Sequence, residues 1–253
     1  MANALTRGLD VLQLLNKYGA CQVRDIHRYS GLPKPTVVRM LSSLCDAGYA
    51  RQAEDGSYHL TAKTLELSVG YDAADDILAI ARPLMAAARS AHTWPSDLAI
   101  FDHDAMVIMD TSKVPGTMSL NRGIGTRLPV TPTSLGRAYL AFCPEDERVE
   151  ILARLADSDD RDEDLARRPE KIKKILSIAR ERGYAVSDEN FNKAARIVGV
   201  PVFAHGQIVA CVNMMAVSAA MSFEQAEASF YPVLRDISAR LTELLEGGKP
   251  PQS

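Results

Sequence analysis

The sequence predicts an α+β chain in two parts: a small head of three helices and a β-hairpin, then a larger body of strands and helices. Three observations predict it. The first sixty residues run helix, helix, turn, helix, hairpin. Beyond about residue 95, paired short strands and further helices replace the purely helical spacing. Charge is also unevenly shared. Residues 1–63 carry eight Lys/Arg (Arg7, Lys17, Arg24, Arg28, Lys34, Arg39, Arg51, Lys63) against five acids (Asp10, Asp25, Asp46, Glu54, Asp55), a net of +3 in a chain whose total is −3. A mildly basic head on an acidic body suits a nucleic-acid module joined to something else. At 253 residues the chain is long enough for two cores.

The elements follow in order. Leu5, Leu9, Leu12 and Leu15/Val11 recur at helical spacing, and Gly19 stops that helix. A second short helix is expected over 23–29, with Val23, Ile26 and Tyr29 inward. Gly31 and Pro33 mark a turn; Thr36 opens a third helix, with Pro35 tolerated in its first turn and an end near Gly48. Two short strands around Glu54-Asp55-Gly56 read as a hairpin. A short helix over 64–71 leads away. An Ala-rich helix over 75–91 has Ile77, Ile80, Ala81, Leu84 and Ala88 on one stripe. Strands are expected at 97–101 and 105–109 around the turn Asp102-His103-Asp104, and at 184–188, 195–203 and 207–217. Helices are expected over 134–142, 145–156, 169–182 (stopped by Gly183) and 222–245, the last opened by a Ser222-to-Gln225 capping box. Asp157 to Asp164 reads as an acidic, solvated loop, and the last residues as a frayed tail.

Several classes fall away. No apolar run reaches the length of a membrane span, and the start carries Arg7 and Asp10 inside its apolar pattern, so no membrane partner and no signal peptide are expected. Cys21, Cys45, Cys143 and Cys211 show no paired spacing, which predicts a reduced, cytoplasmic protein. His92, His103 and His205 share no metal-ligand spacing, so no metal and no cofactor are expected. No Ser or Cys has a local base signature, so no catalytic residue is assigned.

The third helix separates two faces at 100° per residue. Val37, Met40, Leu41 and Leu44 form a packing side. Thr36, Arg39, Ser42 and Ser43 form a small polar side, with Val38 beside it. A helix entering a major groove needs such a side: small residues let its backbone approach, and Arg can take a guanine edge with two hydrogen bonds. Lys34, Thr36 and the helix N-terminus lie near phosphate height, with Arg24 on the preceding helix. Arg51 precedes the hairpin turn and suits backbone or minor groove, while Glu54-Asp55 at the tip would repel phosphate.

This pattern, "LTRGLDVLQLLN … VRDIHRYSGLPKPTVVRMLSSLCDAGYARQAEDGSYHLTAKTLEL", resembles the winged helix-turn-helix of the IclR family of bacterial transcriptional regulators. The likeness continues through "GTRLPVTPTSLGRAYLAF", "RERGYAVSDEN" and "GVPVFAHGQIVACVNMMA", so it spans nearly the whole chain. Segments such as "WPSDLAIFDHDAMVI" and "SAAMSFEQA" are similar to the MhpR-like group of that family, activators of aromatic-compound catabolism. The resemblance implies a winged helix-turn-helix over 1–62, a linker helix region over 63–76, a GAF-like effector domain over 77–247 and a flexible tail over 248–253. It implies a curved antiparallel sheet with helices on one face and a small-molecule pocket on the other. It also implies a double-stranded DNA operator, RNA polymerase as a further partner, and homodimers or tetramers paired through the first helix and the linker helix.

Carried over position by position, the family's pocket falls on Leu120, then Thr133, Ser134 and Leu135 at a helix start, Ser187 or Asp188 after "GY", Ala195 and Ile197 on one late strand, and Asn213 and Met215 on the last. The set suits an organic acid with an apolar body. Ser134, Asn213 and free N–H groups at the helix start would hold oxygens; Leu120, Leu135, Ile197 and Met215 would form the wall. Arg122 and Arg127 are further candidates to pair with a carboxylate. Family members that take pyruvate have small polar residues on the last strand; Asn213 and Met215 point to a larger aromatic acid instead. An enzyme fused to a winged-helix module, a repressor responding to a small keto acid, and a protein-interaction adaptor are the competing readings.

Overall fold

A computed structural model describes residues 4–70, 75–92, 94–112, 123–187, 191 and 193–247. It divides into two compact units, Met1–Ala73 and Ala74–Ser253.

In the first unit, α1 (Ala4–Tyr18), α2 (Val23–Ser30) and α3 (Lys34–Asp46) pack around Val11, Leu15, Ile26, Val37 and Leu41. Each such side chain, fully buried, contributes about 2 kcal/mol. β1 (Ala50–Gln52) pairs antiparallel with β2 (Tyr58–Leu60), and Cys21 bridges to Tyr58 across the hairpin's other edge. The hairpin turn closes on Gly56 at φ 80°, where a side chain would be strained. Three details differ from expectation. On α1, Val11 and Leu15 reach the core, while Leu5 and Leu9 are exposed, at 70% and 48%. Tyr29 is not inward: its ring stacks on Tyr18 at 4.2 Å, with Arg28 over its face. The third helix starts at Lys34, two residues early, because Pro33 takes the capping position and Pro35 needs no N–H in the first turn. A 3₁₀ turn over Ala62–Ser68 follows, in place of the expected helix over 64–71, and Leu65, Leu67 and Val69 stand exposed.

The second unit holds α4 (Asp75–Ala91), β3 (Ser96–Asp102), β4 (Ala105–Thr111), β5 (Arg127–Leu128), α5 (Ser134–Phe142), α6 (Glu145–Asp157), α7 (Pro169–Arg182), β6 (Ala185–Val186), β7 (Ala195–Ala204), β8 (Gln207–Val217) and α8 (Phe223–Leu245). Six strands form one antiparallel sheet in the order β5-β4-β3-β8-β7-β6. His103 and His205 sit at the tips of its two hairpins with positive φ, as their turn positions predicted.

Helices cover both faces of this sheet, not one. Leu98, Ile100, Val198, Val200, Val202, Val212 and Met214 face α4 and α8. Ala99, Met106, Ile108 and Cys211 face α5, α6 and α7. The central strands carry apolar residues at odd and even positions alike, so each face needs a cover. On α4 the buried line is Leu78, Ala81 and Met85; Ile77, Ile80, Leu84 and Ala88 pack at its margins. Trp94 meets Phe230 of α8 edge-on. α5 and α7 have the bounds expected: Thr133 caps the first by accepting from Gly136 N, and Gly183 at φ 81° ends the second. The two-residue β5 escapes sequence reading. So does a second 3₁₀ turn, Arg161–Arg167, which begins within the stretch expected to be a solvated loop and runs past its end.

Candidate DNA-reading face and effector site

α3 presents the two faces its periodicity requires. Val37, Met40 and Leu41 are buried and Leu44 packs against them. Val38, Arg39, Ser42 and Ser43 are exposed, with Thr36 half-buried and Lys34 exposed at the helix start. Arg39, Lys34 and Arg51 make no ion pair among the described residues, so their charges are available to an outside partner. Ser43 differs from Ser42: its hydroxyl donates to Arg39 O at 3.0 Å, one turn back, and is partly spent on its own helix. Arg24 is exposed beside Asp25 at 3.9 Å. Arg51 is exposed on β1 opposite His59. At the tip, the Asp55 carboxylate accepts from Ser57 N and Ser57 Oγ, which holds its pKa below the usual carboxylate range. The far end of α3 is closed by Lys63, whose Nζ donates to Ala47 O at 3.0 Å.

In the second unit five of the residues expected at the effector site, Ser134, Ala195, Ile197, Asn213 and Met215, share the α5 face of the sheet. One register row runs across five strands: Thr111, Asp97, Asn213, Gly199, Ala185. Within it, Thr111 Oγ1 donates to Asp97 Oδ1 at 2.7 Å, and Asp97 N donates to Asn213 Oδ1 at 2.9 Å. The start of α5 lies over Gly199: a Cβ there would stand 3.0 Å from the Ser134 backbone and 3.2 Å from its Cβ. Glycine at 199 is what lets the helix terminus reach the sheet. Beside it, Ala195, Ile197 and Met215 form a small buried cluster apart from the two main cores. Leu135 is fully buried, and Ser187 is buried with its N–H on Ile197 O.

Two polar groups here stand out. Ser134 and Asn213 are each 1% exposed, and Ser134 Oγ and Asn213 Nδ2 have no hydrogen-bond partner among the described residues. Buried polar atoms normally have one. The first N–H groups of α5 lie at the same place and favour an anion. Thr133, in contrast, is occupied: it donates to Pro129 O and caps α5.

Arg127 has a different assignment. Its guanidinium is held by Asp102 Oδ2 at 2.5 Å and Asp104 Oδ1 at 2.6 Å, at the far end of β3 from Asp97. Two carboxylates of the β3–β4 turn already pair with it there. Leu120, Arg122 and Asp188 lie outside the described residues. Sequence reasoning missed Asp97 and Thr111, whose place in the row depends on strand register. A separate groove of about 550 Å³ runs between α6 and α7 over Val149, Leu152 and Ile172. Its arginines already serve carbonyls: Arg148 and Arg180 at the end of α5, Arg167 at the end of α6. No group of three or more metal-ligating side chains occurs among the described residues, and no helix there is long and apolar enough to cross a membrane.

Comparison with known proteins agrees with this division. The family model described as the bacterial transcriptional regulator IclR C-terminal domain matches residues 71–243, and that of the IclR helix-turn-helix domain matches residues 4–54. The chain is 27% identical over 248 residues to the Pca regulon regulatory protein of Pseudomonas putida, covering 96% of this chain and 84% of that one. It superposes on an IclR family transcriptional regulator from Brucella abortus with a TM-score of 0.65 at 28% identity, covering 96% and 93% of the two chains. It shares the fold of an IclR homolog from Microbacterium hydrocarbonoxydans solved with 4-hydroxybenzoate, at a TM-score of 0.69 and 21% identity, over 97% and 100%. With one of these models on its first unit and the other over most of its second, the chain belongs to the IclR family, as a DNA-binding transcriptional regulator with a ligand-binding C-terminal domain.

Proposed function

We propose that this regulator activates aromatic-compound catabolism genes when an aromatic carboxylate binds at the N-terminus of α5. The observation that carries the reading is the pair of buried, unpartnered groups, Ser134 Oγ and Asn213 Nδ2, beside the apolar cluster of Ala195, Ile197 and Met215. A carboxylate matches the helix N-terminus and Ser134; an aromatic body matches Ile197 and Met215. The sheet row places a carboxylate of its own, Asp97, on the same face. A hydroxyl on the ligand would suit that face, which favours hydroxybenzoates and hydroxyphenylpropionates. The relative named for the Pca regulon and the homolog solved with 4-hydroxybenzoate give the class to try first. The sign of regulation, activation, rests on the MhpR-like segments. Operator reading is assigned to Arg39, with Thr36, Val38 and Ser42 beside it and Lys34, Arg24 and Arg51 toward phosphates. The exposed Leu5, Leu9, Leu65, Leu67 and Val69 support pairing with a second copy of the chain.

The experiment is a thermal-shift panel of hydroxybenzoates and hydroxyphenylpropionates beside pyruvate and glyoxylate, with each acid recovered afterwards. Stabilisation by an aromatic acid, returned chemically unchanged, is expected. Stabilisation by the keto acids alone would make this a small-acid sensor and overturn the reading of Asn213 and Met215.

A further inference from the structure

In the run Asp157 to Asp164, Glu163 differs from its acidic neighbours. Asp157, Asp159, Asp160, Asp162 and Asp164 are exposed; Glu163 is 1% exposed. Its carboxylate takes three donors from two consecutive residues. Oε1 accepts from Val130 N. Oε2 accepts from Thr131 N at 2.9 Å and from Thr131 Oγ1 at 2.6 Å. Burial pushes the Glu163 pKa up, while the bonds from Thr131 and Val130 oppose that shift.

The gripped residues lead directly into α5. The Thr131 carbonyl accepts from Arg137 Nε at 2.7 Å, and Arg137 Nη1 continues to Val186 O at 2.9 Å, next to Ser187. The Thr131 residue is thus held from both sides, its N–H and hydroxyl by Glu163 and its carbonyl by Arg137. Val130 is pressed against the same helix: a Cβ on Gly136 would stand 2.1 Å from Val130 O. Three residues after this grip comes Ser134, with its unpartnered hydroxyl.

We propose that Glu163 is a positioning residue for effector recognition: it fixes Val130 and Thr131, and through them the N-terminus of α5 that receives the ligand's carboxylate. This rests on the reading of that terminus given under Proposed function. Among the described residues three donors and no acceptor converge on the group, so an ionised carboxylate satisfies all of them. A Gln at 163 would turn an N–H₂ toward another donor and lose at least one bond.

The test uses full-length Thr131→Val, Thr131→Ser and Glu163→Gln, titrated with 4-hydroxybenzoate and 3-(3-hydroxyphenyl)propionate, with amide exchange read over residues 129–137. Thr131→Val and Glu163→Gln are expected to weaken the acid that binds wild type by about tenfold, with Thr131→Ser near wild type and operator affinity of the ligand-free protein unchanged. Variants that lower the melting temperature but bind the acid as wild type does would reduce Glu163 to a structural role and overturn the proposal. If neither acid binds wild type, the effector class fails on its own, and the exchange data decide. Protection lost at Val130 and Thr131 in Glu163→Gln, with the sheet still protected, supports the grip; unchanged protection there overturns it.

Discussion

Two helices, α3 and α5, carry the roles proposed for this chain, and they are built in opposite ways. α3 buries Val37, Met40 and Leu41 and leaves Val38, Arg39, Ser42 and Ser43 in solvent. α5 buries every residue from Ser134 to Ala141. A helix that reads a macromolecule needs one free side. A helix whose terminus holds a small molecule inside a sheet needs none, but it must be placed accurately. The proposed specificity of α3 therefore rests on exposed side chains. That of α5 rests on the packing around the helix: Gly199 beneath it, Gly136 against Val130, and Glu163 with Arg137 on its approach.

Substitutions separate these two designs. The largest effect is expected at Gly136, where Gly136→Ala drives a methyl into the Val130 backbone. It should cost about 3 kcal/mol of unfolding free energy in chemical denaturation, and a near-neutral value would mean α5 is held loosely. Next comes Arg39→Ala, expected to weaken specific operator binding by about 2 kcal/mol with melting temperature and effector response unchanged. Unaltered operator affinity would remove Arg39 from the reading face. A smaller effect is expected at Leu9, exposed on α1. Leu9→Lys should raise the dimer dissociation constant about tenfold by sedimentation, and an unchanged constant would move the pairing surface elsewhere. The smallest is Ser43→Ala, whose hydroxyl is already bonded to Arg39 O. It should change operator affinity by less than about 0.5 kcal/mol, and less than Ser42→Ala does.

The same contrast explains what the sequence revealed. The reading face of α3 is contiguous, so a period of 3.6 and the turn before it were enough to find it. The bounds of α5 and α7 followed from Thr133 and Gly183, local signals at helix ends. The proposed effector site draws on positions 134, 197 and 213, which came from the family resemblance and not from any local pattern. Asp97 and Thr111 escaped because a one-residue change of register would have put them on the other face. Glu163 escaped because nothing in an acidic run marks which carboxylate will meet three donors from residues thirty positions away. The helices on both sheet faces were implicit in β3 and β8, where apolar residues occur at odd and even positions alike.

The most direct measurement is calorimetric titration of the best aromatic acid from the panel into wild type, Asn213→Ala and Arg39→Ala. If the ligand completes the buried Asn213 and Ser134 groups, Asn213→Ala binds about tenfold more weakly while Arg39→Ala binds as wild type does. Equal affinity in wild type and Asn213→Ala would contradict an effector site at the start of α5.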